Sequence, residues 1–160
     1  MFEVGDKIVY PMHGAGVIVA IETKDFLGEE QEFLILRIPI GHLRIAIPRA
    51  KADEVGVRAV CTSEDTKQVR EILGGEMEEM SSNWNQRYRE NLERLKSGDI
   101  FEVANVVRDL TLLHREKGLS TGEKKMLTSA KNILVSEMVV VEDTDAESIE
   151  EKIETYIVST

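Results

Sequence analysis

The chain has 160 residues, 42% of them hydrophobic and 31% charged, and a formal net charge of -10, a composition that suits one or two packed cores and excludes global disorder. Its single cysteine, Cys61, excludes an internal disulfide and a multi-thiolate zinc site. No apolar run approaches the ~18 residues of a membrane span, and the opening stretch carries acids where a secretion signal needs a basic start, so the expected location is the cytoplasm.

In chain order, the first ~50 residues read as short strands rich in Val and Ile: KIVY, AGVIVAIE, EFLILRI and LRIAI. Pro11 with His13-Gly14-Ala15-Gly16, Leu27-Gly28-Glu29 and Pro39-Ile40-Gly41 supply turns between them. The spacing leaves no room for crossover helices, so the sheet is expected to be antiparallel and to curl into a small barrel over residues 1–60.

From Thr62 the period becomes helical. Thr62 and the acids after it cap TKQVREIL, which Gly74-Gly75 stops, and a hinge between domains is expected nearby. Ser81 or Ser82 is expected to cap NWNQRYRENLERL. Asp99-x-x-Glu102 and Ser120-x-x-Glu123 have capping-box spacing and open IFEVANVVRDLTLLHRE and EKKMLTSAKNILVSEM. Ile100, Val103, Val107, Leu110 and His114 recur at helical steps, which predicts one buried face. Ile149, Ile153 and Ile157 mark an acidic helix between Thr144 and Val158. The fold class is therefore α+β: a small antiparallel barrel over 1–60, then an all-α unit over 61–160.

The sequence does not show catalytic chemistry. His13, His42 and His114 lie far apart, no HxH, HExxH or CxxC occurs, and Gly14-Ala15-Gly16 lacks the third glycine of a dinucleotide loop. Glu76-x-Glu78-Glu79 reads as a solvated acidic loop. No enzyme, cofactor, metal or small-molecule substrate is expected. Charge is more informative: residues 1–70 sum to -2, 71–80 to -4, 81–136 to +3 and 137–160 to -7, so one internal segment is basic in an acidic chain. Within it, Asn83-Trp84-Asn85-Gln86-Arg87-Tyr88-Arg89 sets the only tryptophan beside two arginines, a mixture suited to nucleic acid. Trp84 also shares a helical stripe with Tyr88, Leu92 and Leu95, so periodicity leaves two readings open, core residue or exposed wedge. Lys124 and Lys125, in the first turn of another helix, suit a phosphate.

These stretches resemble the CarD family of bacterial RNA polymerase-binding regulators. The resemblance is carried by Val4-Gly5-Asp6-Lys7-Ile8-Val9-Tyr10-Pro11 with His13-Gly14-Ala15-Gly16, by Asn83-Trp84 through Arg87-Tyr88 and Asn91-Leu92-Glu93, by Val106-Val107-Arg108-Asp109-Leu110, and by Gly118-Leu119-Ser120 with Gly122-Glu123-Lys124-Lys125-Met126-Leu127. The opening motif is also similar to the polymerase-interacting domain of transcription-repair coupling factor. The resemblance implies a Tudor-like barrel that binds the RNA polymerase β subunit and a helical domain that touches promoter DNA at the upstream edge of the bubble. Trp84 is then an exposed minor-groove wedge, and Arg87, Arg89, Lys124 and Lys125 contact phosphates. Gln86 stands where relatives are often basic. On the polymerase side the resemblance points to Lys24, Phe26 and the strand bearing Arg44 and Ala46. Ala46 replaces an arginine of some relatives, and Arg44, two residues earlier, shares its strand face. An adaptor that binds polymerase without touching DNA is the competing expectation.

Overall fold

The computed structural model describes residues 2–157. Five strands, β1 (Lys7–Tyr10), β2 (Gly14–Phe26), β3 (Glu29–Ile38), β4 (Leu43–Pro48) and β5 (Arg58–Ala59), form one antiparallel sheet in the order β4-β3-β2-β1-β5. No ladder joins β4 to β5 among the described residues, so the sheet is not closed by hydrogen bonds. Instead the segment between those strands folds over its inner face, where Ala52 and Val57 join Ile8, Ile18, Leu34, Leu36 and Ile47 in a buried core.

β2 and β3 run further than the apolar pattern predicts, because a two-residue turn continues their ladder to the Phe26–Glu29 pair. Leu27 and Gly28 both take positive φ, 53° and 82°, the geometry of a type I′ hairpin whose twist matches the flanking strands. Strand alternation sends Lys7, Val17, Arg37 and Arg44 to the outer face as one cross-strand row.

Five helices follow: α1 (Ser63–Leu73), α2 (Trp84–Lys96), α3 (Ile100–Glu116), α4 (Thr121–Glu142) and α5 (Ala146–Tyr156). α3 and α4 form the centre of a second core, with Val103, Val107, Leu110, Ala130 and Leu134 buried among residues of the other three helices. The stripe expected on α3 turns outward at its end: His114 is exposed and Leu113 is buried instead. The expected capping box forms at Ser120–Glu123, and Thr62, expected as a cap, forms a further box with Asp65. Asp99 caps Phe101 N–H without a reciprocal bond from Glu102, which pairs with Arg94.

Gly74-Gly75 is not an interdomain hinge. It lies inside the helical unit, where Arg108 Nη1 donates to Ile72 O at 3.0 Å and Asp109 Oδ1 accepts from Glu78 N at 3.2 Å. Nor is Glu78 merely solvated, since Arg94 Nη2 donates to it at 2.7 Å. Asp109 is fully buried, and burial pushes its carboxyl up against the opposing pull of Arg108.

Sheet and helices share a polar junction. Ser136 Oγ, on α4, accepts from Ala15 N at 2.8 Å and donates to Ile133 O at 2.7 Å. The next residue, Glu137, receives both terminal nitrogens of Arg58 at 2.9 Å and Cys61 N at 2.7 Å. Val9, Ala15 and Val140 bury a small apolar cluster beside these bonds.

Candidate functional site

Two helix starts meet on the helical unit. α2 begins at Trp84 because Asn83 holds extended backbone and its side-chain oxygen accepts from Asn85 N at 3.0 Å and Gln86 N at 3.2 Å. The cap is therefore Asn83. Ser81 instead supports it, accepting from Asn83 N at 3.1 Å, and the expected Ser81 or Ser82 cap is corrected accordingly. α4 begins at Thr121 because Ser120 and Glu123 satisfy each other's backbone donors.

A buried ion pair clips these starts together. Arg87 donates from Nε and Nη2 to the Glu123 carboxylate at 2.7 and 2.9 Å, and from Nη1 to Ser81 O at 3.2 Å. The Glu123 side chain is 1% exposed and that of Arg87 15%. The hydrogen bond from Arg87 is the largest influence holding the Glu123 carboxyl below its ordinary value, against the upward push of burial. Tyr88 lies over the first turn of α4, where a β-carbon built on Gly122 would be 3.7 Å from Tyr88 Cε2.

The clip leaves Trp84 projecting, 55% exposed at the first position of α2. The stripe reading is thus half right: Leu95 is buried, Leu92 and Tyr88 partly so, and Trp84 lies outside the core. Arg89, Lys124 and Lys125 are exposed and make no ion pair among the described residues. Arg87 differs from them. Its guanidinium, in the same turn of α2 as Trp84, is engaged by Glu123. Gln86 donates to Glu90 at 2.9 Å along the same helix. Both helix starts present the positive end of a macrodipole, so this surface is more attractive to anions than the net charge suggests.

The residues expected on the polymerase side lie on the long hairpin and the edge strand. Lys24 is opposite Gln31, half-exposed, 3.9 Å from Glu22 and 5.7 Å above the Phe33 ring. Arg44 is opposite Arg37 and Ala46 opposite Ile35, so strand alternation puts both on the same face as Lys24. Phe26 pairs with Glu29 at the hairpin end, and its side chain is outside the described residues. No group of three or more His, Cys, Asp or Glu side chains is placed to hold a metal ion among the described residues. No helix there is long and apolar enough to cross a membrane.

The sheet matches the family model of the CarD-like/TRCF RID domain over residues 2–61, and the helices match that of the CarD C-terminal domain over residues 68–154. The chain belongs to the CarD family. It is 42% identical over 141 residues to YdeB of Bacillus subtilis (strain 168), which is named as a transcription factor, across 88% of this chain and 92% of YdeB. CarD proteins are transcription factors with an RNA polymerase-interacting domain, and here that domain is the five-stranded sheet.

Two features of this CarD protein escape sequence reasoning. The Arg87–Glu123 pair joins residues 36 apart, and Arg58–Glu137 joins residues 79 apart. Nothing local marks either pair. Glu123 has a complete explanation as a capping residue, and Glu137 sits on a helix that periodicity alone leaves free to turn.

Proposed function

We propose that the protein regulates transcription by docking its sheet on the β subunit of RNA polymerase and steadying the opened promoter with its helical unit. Lys24, Phe26, Arg44 and Ala46 form the polymerase contact. Trp84 is the wedge in a distorted minor-groove step at the upstream edge of the bubble, with Arg89, Lys124 and Lys125 on nearby phosphates and Arg87 as the brace. The observation that carries this reading is the exposure of Trp84. A large apolar ring stands in solvent at a helix start that is itself fixed by a buried ion pair, beside cations that make no ion pair among the described residues. Wedge side chains need this combination of projection and rigid support, since unstacking a base step costs a few kcal/mol.

The acidic total fits the same reading. Counterion release rewards only the few basic contacts available, so free duplex is bound weakly. Docking on polymerase raises the effective concentration of the helical unit at the bubble, and selectivity then needs no base readout.

The deciding experiment is Trp84→Ala in a promoter assay. The variant should bind polymerase as wild type does, yet open complexes should decay faster than with wild type. Unchanged open-complex lifetimes would refute the wedge and favour the adaptor alternative, which binds polymerase without touching DNA, and lost polymerase binding would make Trp84 a protein contact.

A further inference from the structure

The row Lys7–Val17–Arg37–Arg44 crosses four strands on the outer face of the sheet. Arg37 and Arg44 stand directly opposite each other, a like-charge pairing that destabilises an antiparallel ladder. None of the three cations makes an ion pair among the described residues, although the chain carries 30 acids and engages most of its other arginines. A costly row left without counterions in so acidic a protein implies that its counterion comes from elsewhere.

The row opens into a groove of about 450 Å³ between the sheet and the C-terminal end of α4. Lys7, Arg37 and His42 line it from the sheet side, and Asp143 and Thr144 from the helix end. Val17, Val19, Val139 and Val140 supply apolar lining. Two of the lining residues, His42 and Asp143, hold left-handed backbone at φ 52° and 53°, conformations that non-glycine residues adopt at a cost. Cations on one side and valines within suit a chain segment that carries carboxylates next to an apolar side chain. Asp143 stands opposite the cations and disfavours a purely anionic occupant, which argues against a free inorganic anion.

We infer that this groove takes an acidic, apolar-anchored segment of RNA polymerase, extending the contact made by Arg44 along Arg37 and Lys7 to the domain junction. The inference rests on the proposed docking of the sheet's outer face on polymerase. It adds Lys7, Arg37 and the valine-lined groove, and it specifies the chemistry of the segment that fills them.

The test uses the full chain and RNA polymerase holoenzyme. In Lys7→Glu/Arg37→Glu, the carboxylate introduced on β3 faces Arg44 and relieves the repulsion, so the melting temperature should stay level or rise. Polymerase affinity should meanwhile fall by about tenfold or more, because like charges now meet across the interface. A photo-crosslinking residue in place of His42 should join the chain to a polymerase segment rich in Asp and Glu, and one in place of Ala46 reports on the sheet contact separately. If the Ala46 position crosslinks while the His42 position does not, or the double variant binds as wild type, the groove is not part of the contact although the sheet still docks. If neither position crosslinks, the docking reading falls and the inference falls with it.

Discussion

Replacing Arg87 with methionine isolates the brace under Trp84. The substitution keeps most of the length of the side chain but leaves the Glu123 carboxylate, 1% exposed, without its guanidinium. Stranding one member of a buried pair costs about 3–5 kcal/mol, a large share of the ~5–15 kcal/mol that holds a domain together. For a chain of this size that is a drop in melting temperature of roughly 6–20 °C. Arg87→Met/Glu123→Met removes both charges and retains apolar volume, so its cost should shrink to the ~1 kcal/mol of the bonds that the Glu123 carboxylate accepts from Ser120 N and Oγ. Acidity supplies a second signature. The bond from Arg87 holds the Glu123 carboxyl below its ordinary 4.5, so the pair's stabilisation is complete above about pH 4.5 and is lost as pH falls through the depressed folded value. In Arg87→Met only burial and the capping bonds remain, and protonation relieves the stranded charge. The gap between variant and wild type, read by urea denaturation at pH 7 and pH 4, should therefore narrow in acid. A loss below about 1 kcal/mol for Arg87→Met at pH 7 would refute the brace and return Arg87 to the solvent-facing cations.

Arg89→Ala and Lys124→Ala should each leave the melting temperature near wild type and lower the salt slope of promoter-complex stabilisation by about 1, as phosphate contacts do; slopes equal to wild type would take them off the DNA. Cys61 is half-buried, and burial together with Glu137 pushes its thiol up from 9.0 to about 12. Its alkylation by iodoacetamide at pH 8 should run on the order of 10³ slower than in urea-unfolded protein, following the loss of thiolate; equal rates would show that the site opens readily.

The class of fold was legible because it depends on local period. Alternating Val and Ile runs broken by Gly and Pro specify strands, and the switch to four-residue spacing at Thr62 specifies helices. Caps were legible where the box is reciprocal, as at Ser120, and misread where serines crowd a stronger acceptor, as at Asn83. Gly74-Gly75 looks like a hinge because glycine breaks helices, yet the bonds from Arg108 and Asp109 that hold this connector come from a helix 31 to 36 residues away. The same limit hid the role of Arg87. Its neighbours in sequence advertise nucleic acid, and only the third dimension brings Glu123 to within 2.7 Å. Trp84 stands outside the core at the first position of α2 although it shares the stripe of Leu95, so periodicity alone could not have excluded the core reading.

The junction between sheet and helices governs how docking on polymerase is transmitted to the DNA surface on the proposed reading. A flexible link would supply only a raised effective concentration, whereas a rigid one also fixes the span between the two contacts and removes the entropy of searching for it. This junction is of the rigid kind. Ala15 and Ser136 are both fully buried, and Gly14 takes φ 120° with so little room that a β-carbon there would stand 2.8 Å from Ser136 Oγ. Arg58 ties Glu137 to the sheet at 2.9 Å and reaches Gly98 O at 2.8 Å, so one side chain spans both units. Ser136→Ala removes the acceptor of the Ala15 amide and should cost about 1–3 kcal/mol through that unsatisfied donor. Because neither outer surface includes Ser136, the variant should bind polymerase as wild type does and keep Trp84 exposed to a fluorescence quencher. It should nevertheless prolong open complexes less, since the wedge is no longer held at one distance from the docking face. Amide exchange at Ala15 provides the structural control, and it should speed up in the variant. Exchange at Ala15 as slow as in wild type, together with a full effect on open complexes, would show that the junction owes its rigidity to the Arg58–Glu137 pair and the valine cluster and not to this hydrogen bond.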